Sequence, residues 1–256
     1  MEGAAKGEVV QIGPLATYVA EPPAPNAHPD TAIVFFTDVF GLRLNNPKLM
    51  ADKMAETTGI RVYVPDLFFG EGLDPDSLPI PDTAEAARNQ TGILWTVKKT
   101  FTIAGLVPWY LRHKASKHLG HADEFIQALK TEHGLKTLGA VGYCYGAPFC
   151  TRYNASGDAQ AIVLVHPSSL KAPDDFASLR APVSFALAEE DHAFGPELAA
   201  QAKAALKDKP FDVEFVTYKG TAHGFGCRPN YAIEDVRKGF EGAFAQTCSF
   251  FKKHLI

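Results

Sequence analysis

A chain of 256 residues, 46% hydrophobic and 21% charged, has the balance of an ordinary globular protein that can bury a large core, which excludes a disordered or fibrous chain. Its net charge of −4 and its lack of a basic stretch remove the electrostatic footprint that phosphate backbones or anionic bilayers demand, so neither nucleic acid nor a membrane is an expected partner. Residues 1–10 carry Glu2, Lys6 and Glu8 without the apolar core of a signal peptide, and the longest apolar run, 101–111, is shorter than the roughly 20 residues of a spanning helix.

The four cysteines, 144, 150, 227 and 248, form no Cys-x-x-Cys pair and read as free thiols of a reducing compartment, so a cytoplasmic location is expected.

In chain order, strands are expected at 9–12 and 16–20, followed by a turn rich in proline over 21–30 and a first central strand at 32–37. A helix follows at 48–57, where Leu49, Met50, Met54 and Ala55 share one face, and then a strand at 61–64. From 66 to 119 the pattern breaks. Pro75, Pro79 and Pro81 mark turns, and the apolar stretch 91–111 holds both tryptophans, Trp95 and Trp109. This is too long for a plain loop and reads as an insertion covering one end of a sheet, with no linker composition to suggest a second domain. Helices are then expected at 121–133, 147–155, 197–205 and 231–254, alternating with strands at 137–141, 161–165, 183–188 and 213–218. Short β-branched runs alternating with amphipathic segments define an α/β chain with a mostly parallel central sheet and crossover helices, folded as one domain.

Gly139-Ala-Val-Gly-Tyr-Cys-Tyr-Gly-Ala147 carries the most chemistry. A buried strand runs into Gly142-x-Cys144-x-Gly146 and a helix follows, which is a nucleophile elbow with cysteine in place of serine. The helix N-terminus behind the thiol favours its ionised form. An α/β-hydrolase needs an acid and a histidine after later strands, and Asp191 and His223 follow the strands at 183–188 and 213–218 in the required order. Glu189 and Glu190 are rival acids whose place nearer the strand limits their reach. His113, His118, His121, His166 and His192 show no metal-ligand spacing, so no metal site is expected. Cys150, six residues past Cys144, reads as core packing.

The Gly-Tyr-Cys-Tyr-Gly elbow at 142–146, Thr37-Asp-Val-Phe-Gly41, Asp191 and His223-Gly-Phe225 together resemble the dienelactone hydrolase family, most closely its fungal branch. The resemblance runs from about residue 32 to the C-terminus. It implies an α/β-hydrolase fold, a Cys144–His223–Asp191 triad, no cofactor, and a small-molecule lactone or activated ester as substrate. It also implies an oxyanion hole from the backbone N–H groups of Tyr145 and Val39. The family's acidic residue in the loop after the first central strand falls on Asp38, where it is implied to meet the resting thiol and release it to histidine. The bacterial members carry glutamate there, one methylene longer. They also hold the substrate carboxylate with an arginine four residues past the histidine; here Arg228 stands five past it. Trp95 and Trp109 are expected to line or cap the pocket. A catalytically silent binding module of the same fold and a redox enzyme pairing Cys144 with Cys150 or Cys227 are the alternatives. The intact triad positions argue against the first, and the missing Cys-x-x-Cys against the second.

Overall fold

The computed structural model of the chain describes residues 3–78, 80–90 and 104–256. Strands β1 (Glu8–Ile12) and β2 (Leu15–Ala20) form a hairpin, and β3 (Thr31–Phe36), α1 (Asn46–Thr58) and β4 (Arg61–Pro65) make the first crossover unit. Helices α2 (Ala84–Arg88), α3 (residues 104–112) and α4 (Ala115–Thr131) precede β5 (Thr137–Tyr143) and α5 (Ala147–Ser156). Strand β6 (Ala161–Val165), α6 (Asp174–Ala177), β7 (Val183–Glu190), α7 (Pro196–Leu206), β8 (Val213–Ala222) and α8 (Glu234–Leu255) complete the order.

The strands form one 8-stranded sheet in the order β1-β2-β4-β3-β5-β6-β7-β8. The hairpin pairs antiparallel to β4, and every pair from β4 to β8 is parallel. Because helices cover both faces, the central strands are apolar at successive positions: β3 and β6 are buried along their whole length. Alternate residues then serve opposite layers. Val34 and Phe36 join Phe125, Phe149 and Phe185 on one face, while Ile33 and Phe35 join Phe240 and Phe251 on the other. Among the described residues, no helix is long and apolar enough to cross a membrane.

Three boundaries differ from the sequence expectation by three residues or more. Helix α4 begins at Ala115, not 121, so the insertion ends at 114: its buried face runs through His118, Ala122, Phe125, Ile126 and Leu129, and a histidine at an apolar position hid the first turn. Strand β8 continues to Ala222 because an irregularity between Ala188 and Glu190 keeps it paired with β7 past Lys219-Gly220. The last helix starts at Glu234, after a turn in which the Asn230 side chain accepts the Ala232 amide.

Candidate active site

Strand β5 runs into one 3-10 turn, Cys144–Gly146, and α5 follows at once. Cys144 adopts a φ of +48°, a left-handed conformation that costs a side-chain-bearing residue about 1–3 kcal/mol and persists only where its surroundings enforce it. The neighbouring glycines make that possible. A Cβ on Gly146 would stand 2.3 Å from the Phe36 carbonyl oxygen in β3, and one on Gly142 would stand 2.7 Å from the Gly146 carbonyl oxygen and 2.8 Å from Cys150 Sγ. Bare backbone lets α5 cross tightly over β5 and β3, and the half-buried Cys144 is pushed out beyond the sheet end.

His223 and Asp191, one residue past β8 and β7, meet it there. His223 Nε2 lies 3.1 Å from Cys144 Sγ, and His223 Nδ1 lies 2.8 Å from Asp191 Oδ1. Asp191 Oδ1 also accepts the amides of Ala193 at 2.8 Å and Phe194 at 3.1 Å, which fix the carboxylate. Burial alone would raise the Asp191 carboxyl, yet the hydrogen bond and charge of His223, with the Ala193 amide, hold it below the usual range. Burial likewise opposes a charge on His223, but its interactions with Cys144 and Asp191 carry the imidazole well above its ordinary pKa. Glu189 and Glu190 are engaged elsewhere: both pair with Arg88, and Glu189 accepts the Gly220 amide at 2.7 Å.

Asp38 lies in the loop after β3, as the sequence places it. Its carboxyl is buried, Oδ1 accepts the Phe40 amide at 3.1 Å to close a short turn, and the group bonds Cys227 and faces Arg228. Cys144 Sγ is met by His223 and, at 3.5 Å, by Ser168 Oγ.

Burial pushes the Asp38 carboxyl up to about 6, against the pull of the Phe40 amide and Arg228. A folded-state pKa above the ordinary 3.8 means that the native chain holds this proton more tightly than the unfolded one. The residue therefore favours folding on the acid side and costs stability as pH rises through 6. Between pH 4.5 and 7, urea unfolding should show wild type losing about 2 kcal/mol relative to Asp38→Asn. Parallel pH dependence of the two proteins would show that the carboxyl is not held in this way.

Arg228 lies with its Cζ 4.5 Å from the Phe40 ring centroid and donates Nη1 to the Pro75 carbonyl at 3.2 Å, while its buried Nε has no hydrogen-bond partner among the described residues. Val39 is anchored through its carbonyl, which accepts the Leu73 amide at 2.9 Å. Tyr145 is buried, its ring 5.0 Å from that of Phe68. Trp95 lies outside the described residues. Trp109 on α3 donates Nε1 to the Glu71 carbonyl at 2.6 Å and packs on Phe68 at 5.4 Å, so its link to the site runs through Phe68. Glu71 Oε2 stands 3.0 Å from His113 Nε2, and His113 Nδ1 stands 3.2 Å from His118 Nε2, a chain of side chains that ties the insertion to α4.

His166 and Ser168 are the neighbours that sequence reasoning missed. His166 reads as a residue closing a strand, but its fully buried ring stands edge to face with His223 at 5.1 Å. Ser168 donates its amide to the Cys144 carbonyl at 3.2 Å. Their loop is strained, with φ of +36° at His166 and +59° at Ser169. The signal lay in the sheet register: Tyr143 pairs with Val165, so the residues that follow them, Cys144 and His166, emerge side by side.

A parallel sheet of this order, with a strained turn after β5 meeting groups that follow β7 and β8, defines an α/β-hydrolase fold. The sequence profile of the dienelactone hydrolase family matches residues 15–255, and the chain belongs to that family of hydrolases. It is 27% identical to the hydrolase pyvD of Aspergillus violaceofuscus over 99% of this chain and 93% of that protein. It is 27% identical to dienlactone hydrolase 1 of Gibberella moniliformis over 93% of this chain and 87% of that one. The solved dienelactone hydrolase of Anabaena variabilis shares the fold with a TM-score of 0.62 at 14% identity, covering 97% of each chain.

Proposed function

We propose that the protein opens a lactone or cleaves an activated ester of a small organic metabolite through a thioester on Cys144, without a cofactor. The observation that carries this reading is the unbroken line from Cys144 Sγ through His223 to Asp191, set at a strained elbow. His223 Nε2 takes the thiol proton as Sγ attacks the carbonyl carbon, and Asp191 fixes the tautomer and stabilises the imidazolium. Charge developing on the carbonyl oxygen is received by the amides of Tyr145 and Val39. The tetrahedral intermediate then breaks its carbon–oxygen bond while His223 returns the proton to the departing oxygen. Water, deprotonated by the same imidazole, cleaves the thioester, and the proton restores the thiol.

A thiolate leaves more readily than an alkoxide, so the intermediate goes forward with enol lactones and aryl esters and mostly backward with alkyl esters and amides. Arg228 offers its guanidinium to a carboxylate on the substrate, a reading supported by its unpartnered Nε beside the Asp38 loop. Trp109, through Phe68, helps bound the acyl site. The free thiols suit the cytoplasm, where we place the reaction.

Stoichiometric iodoacetamide should alkylate Cys144 before the other cysteines. Cys150, Cys227 and Cys248 are buried, and burial raises each thiol, that of Cys248 to about 12. Peptide mapping alongside p-nitrophenyl acetate hydrolysis should show activity falling in step with Cys144 modification. Hydrolysis that survives complete alkylation of Cys144 would sink this mechanism.

A further inference from the structure

One sulfur from Cys144 and one ring nitrogen from each of His166 and His223 lie within 4.8 Å of one another. His166 is fully buried, and neither of its ring nitrogens has a hydrogen-bond partner among the described residues. Its surroundings are aromatic: Tyr143 at 5.9 Å, Phe225 at 5.7 Å and His223 at 5.1 Å between ring centroids. A buried polar atom left unmet is costly, and here it is kept on a residue whose backbone is strained as well. A group that accepts a nitrogen lone pair would relieve that cost.

We propose that Cys144, His166 and His223 form a binding site for a thiophilic divalent cation of the zinc class, which occupies thiol and imidazole together. One thiolate and two imidazoles suit Zn²⁺ and disfavour Mg²⁺ or Ca²⁺, which take oxygen ligands. Ligands 2.0–2.3 Å from a tetrahedral ion stand about 3.3–3.7 Å apart, so the three atoms must draw together from the observed spacing when the ion binds. Asp191 is already on Nδ1 of His223, the arrangement in which a carboxylate orients a ligating imidazole so that its other nitrogen faces the ion. On binding, a sulfur–metal bond replaces the sulfur–hydrogen bond and the proton leaves to solvent; no electrons are transferred. Water completes the fourth position.

Ligation requires only this geometry and holds whether or not Cys144 is the nucleophile; that the bound ion silences hydrolysis rests on the function proposed above. X-ray absorption of the chain loaded with one equivalent of Zn²⁺ should show one sulfur near 2.3 Å and two imidazole nitrogens near 2.0–2.1 Å. A shell without sulfur, or with one imidazole, overturns the proposal. In chelator competition, His166→Gln should weaken Zn²⁺ binding at least 10-fold, and unchanged affinity also overturns it. Should that variant fail to fold, the wild-type absorption spectrum decides alone. Zinc bound in this shell by a chain whose hydrolysis survives Cys144 alkylation would leave the ion site standing and remove the thioester mechanism.

Discussion

His223→Gln should lower kcat/KM for an aryl ester by roughly 10³- to 10⁴-fold, about 4–5.5 kcal/mol of transition-state stabilisation. The imidazole touches both the thiol and the buried carboxylate, at 3.1 and 2.8 Å, and glutamine fills much of its volume without being able to carry the proton. The variant should stay folded, and its residual rate should climb with pH as solvent hydroxide takes over deprotonation of Cys144. A rate above one tenth of wild type, or a flat pH profile, would remove His223 from the proton path.

Gly146→Ala should cost about 3–4 kcal/mol or more in unfolding free energy and abolish hydrolysis in whatever remains folded. The added carbon would meet the Phe36 carbonyl oxygen at 2.3 Å and the Phe36 carbonyl carbon at 2.7 Å. These are backbone atoms of β3, which is hydrogen-bonded to β4 on one side and β5 on the other and cannot retreat without breaking its pairing. Gly120→Ala is the matched control. It lies within α4 with nothing within 4 Å of its added carbon, so alanine should stabilise the helix by up to about 1 kcal/mol. Denaturant midpoints for the two variants should move in opposite directions; a small loss at Gly146 would mean that the elbow is not closed in this way.

What the sequence disclosed was local or ordered along the chain. Gly142-x-Cys144-x-Gly146 spans one strand end and one helix start, so its geometry is written in adjacent residues; Asp191 follows the buried, mostly apolar run of β7, and His223 follows β8, an edge strand marked by its β-branched and aromatic residues. Side-chain direction was not legible in the same way. Asp38 occupies the expected loop, but that its carboxyl meets the Phe40 amide, Cys227 and Arg228 depends on how distant loops fold back onto it. His166 lies 22 residues from Cys144, and nothing in the spacing joins them until β5 and β6 are known to be neighbours. The Glu71–His113–His118 chain depends on where the insertion packs, and His118 disguised the first turn of the helix that carries it.

The strand order also fixes the sequence in which the site comes apart. The strand bearing the thiol is held between β3 and β6, whereas the strand bearing the imidazole is the last of the sheet, paired with β7 on one side, bridged to Thr83 at Thr221 and backed by α8. Rim strands open at lower free energy than interior ones. As heat or denaturant loosens the molecule, β8 can peel away while β3, β5 and β6 remain paired, leaving Cys144 in place without the imidazole beside it. Working life is then governed by a partial opening at one margin and not by collapse of the whole chain, and tightening α8 against β8 would lengthen it without altering any atom that reacts.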